Sequence, residues 1–133
     1  MEAGAYTNAR DYAKLLLMQL RGGMCGDTQV LSQAALDQMH ADRIGDTYGG
    51  SATFPGFAGP NMGYGMGWWV GRESGLILDR GEFGTVPWLD LEGGYGAYLV
   101  LESNEATGSE LASMLFRPVE DAITEPAKGR QSS

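Results

Sequence analysis

Two carboxylate pairs, Asp79 with Glu82 and Asp90 with Glu92, have the spacing at which one acid donates a proton while its neighbour stays ionised, as in glycoside chemistry. Both pairs lie beside turn signals, where solvated charge is the ordinary role. His40, with Asp37 one helical turn before it and Asp42 just after, has the donor types of a metal site. A lone imidazole with no second His and no neighbouring Cys points instead to a solvated group at a helix end, and no metal or cofactor is expected. Gly63-x-Gly65-x-Gly67 has the look of a phosphate cradle, but a cradle opens a helix and this one runs into Trp68-Trp69-Val70, so close strand packing is the expectation. Trp68, Trp69, Trp88, Tyr64 and Tyr98 have the flat faces of a ligand cleft, and at strand positions such rings usually form core. Cys25 has no basic neighbour nearer in sequence than Arg21, which leaves its thiol without a means of activation.

Helices at either end of the chain and strands between them must position these groups. Ala9, Tyr12, Ala13, Leu16, Leu17 and Leu20 recur at helical spacing behind the N-cap Asn8, and Gly22-Gly23 closes that helix. A second helix starts at Ser32, turns Ala35, Leu36 and Met39 inward, and ends before Gly45. Gly45 to Gly63 reads as a long irregular loop. Strands are expected over Tyr64–Val70, Leu76–Asp79, Thr85–Leu89 and, after a Glu92-Gly93-Gly94 turn, Tyr95–Leu101. The last run is apolar without alternation, the pattern of a strand covered on both faces. Pro87 conflicts with a central strand, because it removes a ladder donor. Leu111, Ala112, Leu115, Phe116, Val119, Ala122 and Ile123 form a further helix after Asn104, with a kink expected at Pro118. Residues 1–124 thus form one α+β domain, a small antiparallel sheet of three to four strands packed with helices, and 125–133 a disordered tail.

The 133 residues carry a formal charge of −8, with Lys14 and Lys128 the only lysines, so nucleic acid and anionic membrane surfaces are not the expected partners. The single Cys rules out an internal disulfide framework. No apolar run approaches the roughly 18 residues of a membrane span, and Met1 to Arg10 lacks the basic and apolar regions of a signal peptide. Glycine is abundant, 21 residues, most of them between Gly45 and Gly96.

In this order the elements resemble a known family. Gly4-Ala5-Tyr6-Thr7-Asn8-Ala9-Arg10-Asp11-Tyr12-Ala13 is similar to a helix start found late in serine β-lactamase-like hydrolases, the relatives of class C β-lactamases, penicillin-binding proteins and esterases of that fold. Val30-Leu31-Ser32 followed by Met39 resembles the next helix of that family, and Tyr64-Gly65-Met66-Gly67-Trp68 its Tyr-Gly-x-Gly-Trp strand. Asp79-Arg80-Gly81-Glu82-Phe83-Gly84, Trp88-Leu89-Asp90 and Tyr95 to Glu102 resemble the third catalytic strand and the two strands after it. The likeness runs from Ala3 to about Ile123 and implies the C-terminal part of the family's fold.

Acyl transfer in that family needs a serine one helical turn before a lysine, Ser-x-x-Lys. Asp11 stands three residues before Lys14 and Glu125 three before Lys128, so this chain has no such motif. Tyr6-Thr7-Asn8 matches the family's Tyr-x-Asn motif at the wrong place, where Asn8 reads as a helix cap. The third motif, Lys-Thr-Gly or His-x-Gly, is matched by Asp79-Arg80-Gly81, with the Glu82 N–H where an oxyanion donor would stand. Asp79 puts a carboxylate where the family has a proton donor, and Arg80 points to the opposite face if the strand is regular. The competing reading makes these charges solvated groups that blunt an exposed sheet edge.

The resemblance therefore implies the C-terminal segment of a serine hydrolase acting on esters, amides or β-lactams, without its nucleophile and inactive alone. The alternative is a free-standing binding or assembly domain. Either implies a partner for the last strand, 95–101, and the neighbouring helix 105–123: a second copy, as homodimer or swapped oligomer, or an N-terminal half that supplies the missing strand.

Overall fold

The computed structural model describes residues 6–48 and 61–125. Asn8 opens α1 (Ala9–Leu20) by accepting the Asp11 N–H at 3.0 Å, and the Asp11 carboxylate, placed where the helix dipole favours an anion, takes Lys14 Nζ at 2.6 Å. The helix closes on a paired-glycine cap, with Gly23 N–H donating to Met18 C=O at 2.9 Å and Gly22 N–H to Gln19 C=O at 3.3 Å. Its buried face is narrower than the apolar periodicity predicts: Leu16 and Gln19 are buried, Tyr12 and Leu20 partly so, while Leu17 is 49% exposed.

A hairpin of β1 (Met24–Cys25) and β2 (Thr28–Gln29) follows, then α2 (Gln33–His40), capped by Ser32, whose hydroxyl accepts the Ala35 N–H at 3.1 Å. The expected second helix is thus shorter than its pattern, and the expected loop from Gly45 begins instead inside a separate helix, α3 (Arg43–Tyr48). Residues 49–60 of that loop, and residues 126–133 of the expected tail, lie outside the described residues.

The sheet is an antiparallel meander of five strands in sequence order: β3 (Met62–Tyr64), β4 (Trp69–Gly71), β5 (Leu76–Leu78), β6 (Val86–Asp90) and β7 (Tyr95–Leu99). The single strand expected over Tyr64–Val70 is two strands, because the chain reverses at Gly65–Trp68. Gly65 N–H donates to Trp68 C=O at 2.8 Å, and Gly67, at φ +80°, takes the left-handed conformation that a side chain resists.

Alternation divides the sheet into two faces. The row Tyr64–Trp69–Leu78–Trp88–Ala97 looks toward α4 (Glu105–Thr124), where Leu78, Val86, Trp88, Tyr95 and Ala112 form a core and Phe116 meets Trp88 edge-on at 5.1 Å. The row Gly63–Val70–Ile77–Leu89–Gly96 looks toward α1 and α2, where Leu16, Trp68, Ile77 and Leu89 form a second core. Both faces of β7 are covered, as its unbroken apolar run predicts. Helix α4 continues through Pro118 without interruption. It packs so closely that a Cβ on Gly108 would lie 2.1 Å from Gly84 O.

Pro87 sits inside β6, a central strand, without breaking the sheet. Asp79 N–H donates to Pro87 C=O at 3.1 Å, and no return bond is possible. The regular pairing of β5 with β6 ends at Leu78–Trp88, and past the missing bond one further rung, Gly81 N–H to Thr85 C=O, is made. Toward β7, Pro87 pairs with Tyr98 at a position where its nitrogen is not asked to donate. None of the described helices is long and apolar enough to cross a membrane.

Candidate functional site

Asp79, Arg80, Gly81 and Glu82 leave the C-terminal end of β5, the middle strand of the five, so they are not edge-strand charges. The connection to β6 is a tight turn: Gly81 N–H donates to Thr85 C=O at 2.8 Å, and a Cβ on Gly81 would meet Thr85 Oγ1 at 2.4 Å. The space that glycine leaves at this position is thus taken by Thr85. Glu82 is exposed, and its N–H has no acceptor among the described residues.

Arg80 faces α4, where it lines a cavity of about 50 Å³ with Leu78, Val86 and Phe116. Asp79 faces the other way. The register sets Asp79, Pro87 and Tyr98 in one cross-strand row on the α1 face, and Tyr98 stacks on Tyr12 of α1 with ring centroids 4.3 Å apart and planes 19° from parallel. Asp79 is partly buried, and burial pushes its carboxyl above the usual range against one opposing influence, the Arg80 backbone N–H. The Tyr12 phenol is pushed up to about 12 by burial, then by the negative charge of Asp79, then by Tyr98. Neither paired-acid reading finds its geometry: Glu82 is exposed while Asp79 is not, and Asp90 caps the next turn by accepting the Gly93 N–H at 2.7 Å.

His40 is not the solvated group the sequence suggests. It is partly buried, its Nε2–H donates to Gln19 Oε1 at 2.8 Å, and its ring meets Trp68 edge-on at 6.4 Å. Burial lowers its basicity, with the Asp37 carboxylate acting the other way. Asp42 turns away from it to accept Arg72 Nε at 2.7 Å, Gly45 N–H at 2.8 Å and Tyr64 N–H at 3.3 Å. Burial raises the Asp42 carboxyl, but the Arg72 guanidinium and the two N–H groups outweigh it and hold the group below its usual range. No cluster of metal-ligating side chains occurs among the described residues.

Two glycines of the triplet, Gly63 and Gly65, are close packing, as expected, whereas Gly67 faces open space and serves the turn through its left-handed φ. A Cβ on Gly63 would fall 2.1 Å from the Asp42 carboxyl carbon, and one on Gly65 would fall 2.6 Å from the carbonyl oxygens of Met39 and Ala41. Trp68 and Trp88 are core, whereas Trp69 and Tyr64 are partly buried and meet at 4.8 Å. Cys25 is exposed. Sequence reasoning missed Tyr12 beside Asp79, Gln19 beneath His40, and the Asp42–Arg72 pair; none carries a local signal, because each partnership joins elements distant in the chain.

No family model matches this sequence, and no curated protein does. Among solved structures the chain is similar to a protein from Bacteroides dorei DSM 17855 named "putative beta-lactamase", at 21% identity and a TM-score of 0.60 over 84% of this chain. The described fold is thus α+β and β-lactamase-like. The chain spans 39% of the length of that neighbour.

Proposed function

We propose that this chain is the C-terminal portion of a β-lactamase-like serine hydrolase, carrying the sheet and helices that border the cleft but not the nucleophile. The observation that carries the reading is the unequal coverage, 84% of this chain against 39% of its structural neighbour. The lack of Ser-x-x-Lys in the 133 residues agrees with it. In the whole enzyme the reaction is acyl transfer on an ester, amide or β-lactam. Asp79, Arg80 and Gly81 stand at the third-motif position, and the Glu82 N–H, without an acceptor among the described residues, serves as an oxyanion donor.

Alone, the chain turns over neither chromogenic esters nor chromogenic β-lactams. Turnover that survives repurification and disappears in Asp79→Ala overturns this reading. Adding an upstream polypeptide that bears Ser-x-x-Lys restores hydrolysis.

The second reading, a non-catalytic assembly domain, is favoured by the end of the sheet. Among the described residues β7 is an edge strand, and between it and α1 runs an open groove of about 410 Å³ lined by Ala13, Leu17, Gly96 and Tyr98. We infer that the upstream portion covers this edge in a whole enzyme and that a second copy covers it when the chain is alone, with helix 105–123 taking part. Sedimentation tests this directly: a dilute, monodisperse monomer removes the assembly reading.

A further inference from the structure

The geometry points to a recognition site for an organic ammonium group, formed by the Asp79 carboxylate and the stacked pair Tyr12 and Tyr98. The inference rests on the proposal above that Asp79 borders the cleft, and it names the chemical class of what binds there.

The three side chains come from α1, the end of β5 and β7, and the sheet register brings them to one face. Asp79 and Tyr98 flank Pro87 in a single row, about 10 Å apart at two strand spacings. Tyr12 lies over Tyr98 and within electrostatic reach of Asp79. Alternation turns the next residue, Arg80, to the opposite face, so the chain's nearest cation in sequence does not neutralise Asp79 across this surface. Among the described residues Asp79 has no ion pair; a partly buried carboxylate in that state is costly, and a ligand cation removes that cost. Two tyrosines on the same face supply what an ammonium group uses: the outer ring faces of their stack, and phenol oxygens that accept hydrogen bonds, with the Tyr12 phenol pushed up to about 12. The three N–H donors of an ammonium match a carboxylate and phenols at different directions better than a carboxylate or a neutral ligand does.

Benzylammonium is the probe, with benzyl alcohol and benzoate as its neutral and anionic counterparts, followed by amide chemical shifts of the intact chain at neutral pH. Benzylammonium is expected to move the Arg80, Gly81 and Tyr98 amides, while benzyl alcohol and benzoate leave them in place. Asp79→Asn is expected to weaken binding by about tenfold or more, the loss of one charge-assisted hydrogen bond. Tyr12→Leu, which removes a ring and leaves the carboxylate, is expected to weaken it by a smaller factor, and an unchanged amide spectrum away from the site shows that each variant is folded. Equal binding of benzyl alcohol, undiminished binding by Asp79→Asn, or shifts confined to another surface overturns the inference. The two proposals fail separately: turnover by the chain alone overturns the hydrolase-portion reading whatever binds, and absence of benzylammonium binding overturns this one whatever the turnover.

Discussion

Along β5 and the two residues after it, Ile77 and Asp79 look toward α1 while Leu78 and Arg80 look toward α4. The α4 face is packed as core: Trp88 at 2% exposure, Val86 at 1%, Phe116 edge-on to Trp88, and the backbones of Gly108 and Gly84 nearly touching. The α1 face has an apolar centre of Leu16, Ile77 and Leu89, ringed by polar groups in specific partnerships: Gln19 with His40, Asp42 with Arg72, and Asp79 near Tyr12. One strand therefore contributes to both. Close packing on the α4 side stabilises the domain, which lets the α1 side hold a carboxylate and an imidazole away from full solvation.

Trp88→Ala is the largest test of this contrast. Removing the most voluminous fully buried side chain costs about 4 kcal/mol in urea unfolding at neutral pH, more than any single change on the α1 face. Asp42→Ala comes next, at about 2 kcal/mol, below the figure for a fully buried pair because both side chains keep some solvent. Its carboxyl is held below the usual range, so its stabilisation is complete above the ordinary carboxylate value and is lost as pH falls through the lowered one. Wild type and variant should converge in acid, read as urea midpoints across pH.

His40 gives a smaller effect of the same sign in a different window. Burial lowers its pKa from 6.5, so the unfolded chain takes up the proton first and stability falls as pH drops below that value. Between about pH 8 and pH 5.5 the urea midpoint of wild type should decline more than that of His40→Gln. Asp79→Asn gives the smallest effect and the opposite sign. A carboxyl raised by burial favours the folded chain below its unfolded pKa and weakens it as pH rises through the folded one. The variant should melt slightly higher than wild type at neutral pH, with the gain vanishing in acid. Loss of stability there would show that Asp79 holds the turn rather than facing the cleft.

How much of this was legible in the sequence depends on how locally each feature is specified. The helix starts at Asn8 and Ser32, the apolar periods of these helices and of the one after Asn104, and the apolar run of β7 are each specified within a few residues, and the structure reproduces all of these elements. The β1–β2 hairpin has strands too short for alternation to register, and α3 is too short for a helical period. Trp68-Trp69-Val70 reads as continuous strand although Gly67 reverses the chain just before it. Asp79, Arg80 and Gly81 stand out in the sequence only by their order after the preceding strands. The surroundings of Asp79 are not legible there, because Tyr12 comes within its electrostatic influence only once α1 packs across β7.

Pro87 has a consequence beyond its tolerance in β6. Hydrogen-bonded sheets propagate like a zipper, each rung inviting the next, and a proline opposite Asp79 is a missing tooth. Its missing N–H leaves the Asp79 carbonyl without a partner from β6, while the next rung in the same register, Gly81 N–H to Thr85 C=O at 2.8 Å, is still made. A residue with an N–H at 87 supplies the one donor that the Asp79 carbonyl lacks, so the gap in this ladder is set by an atom the proline does not have.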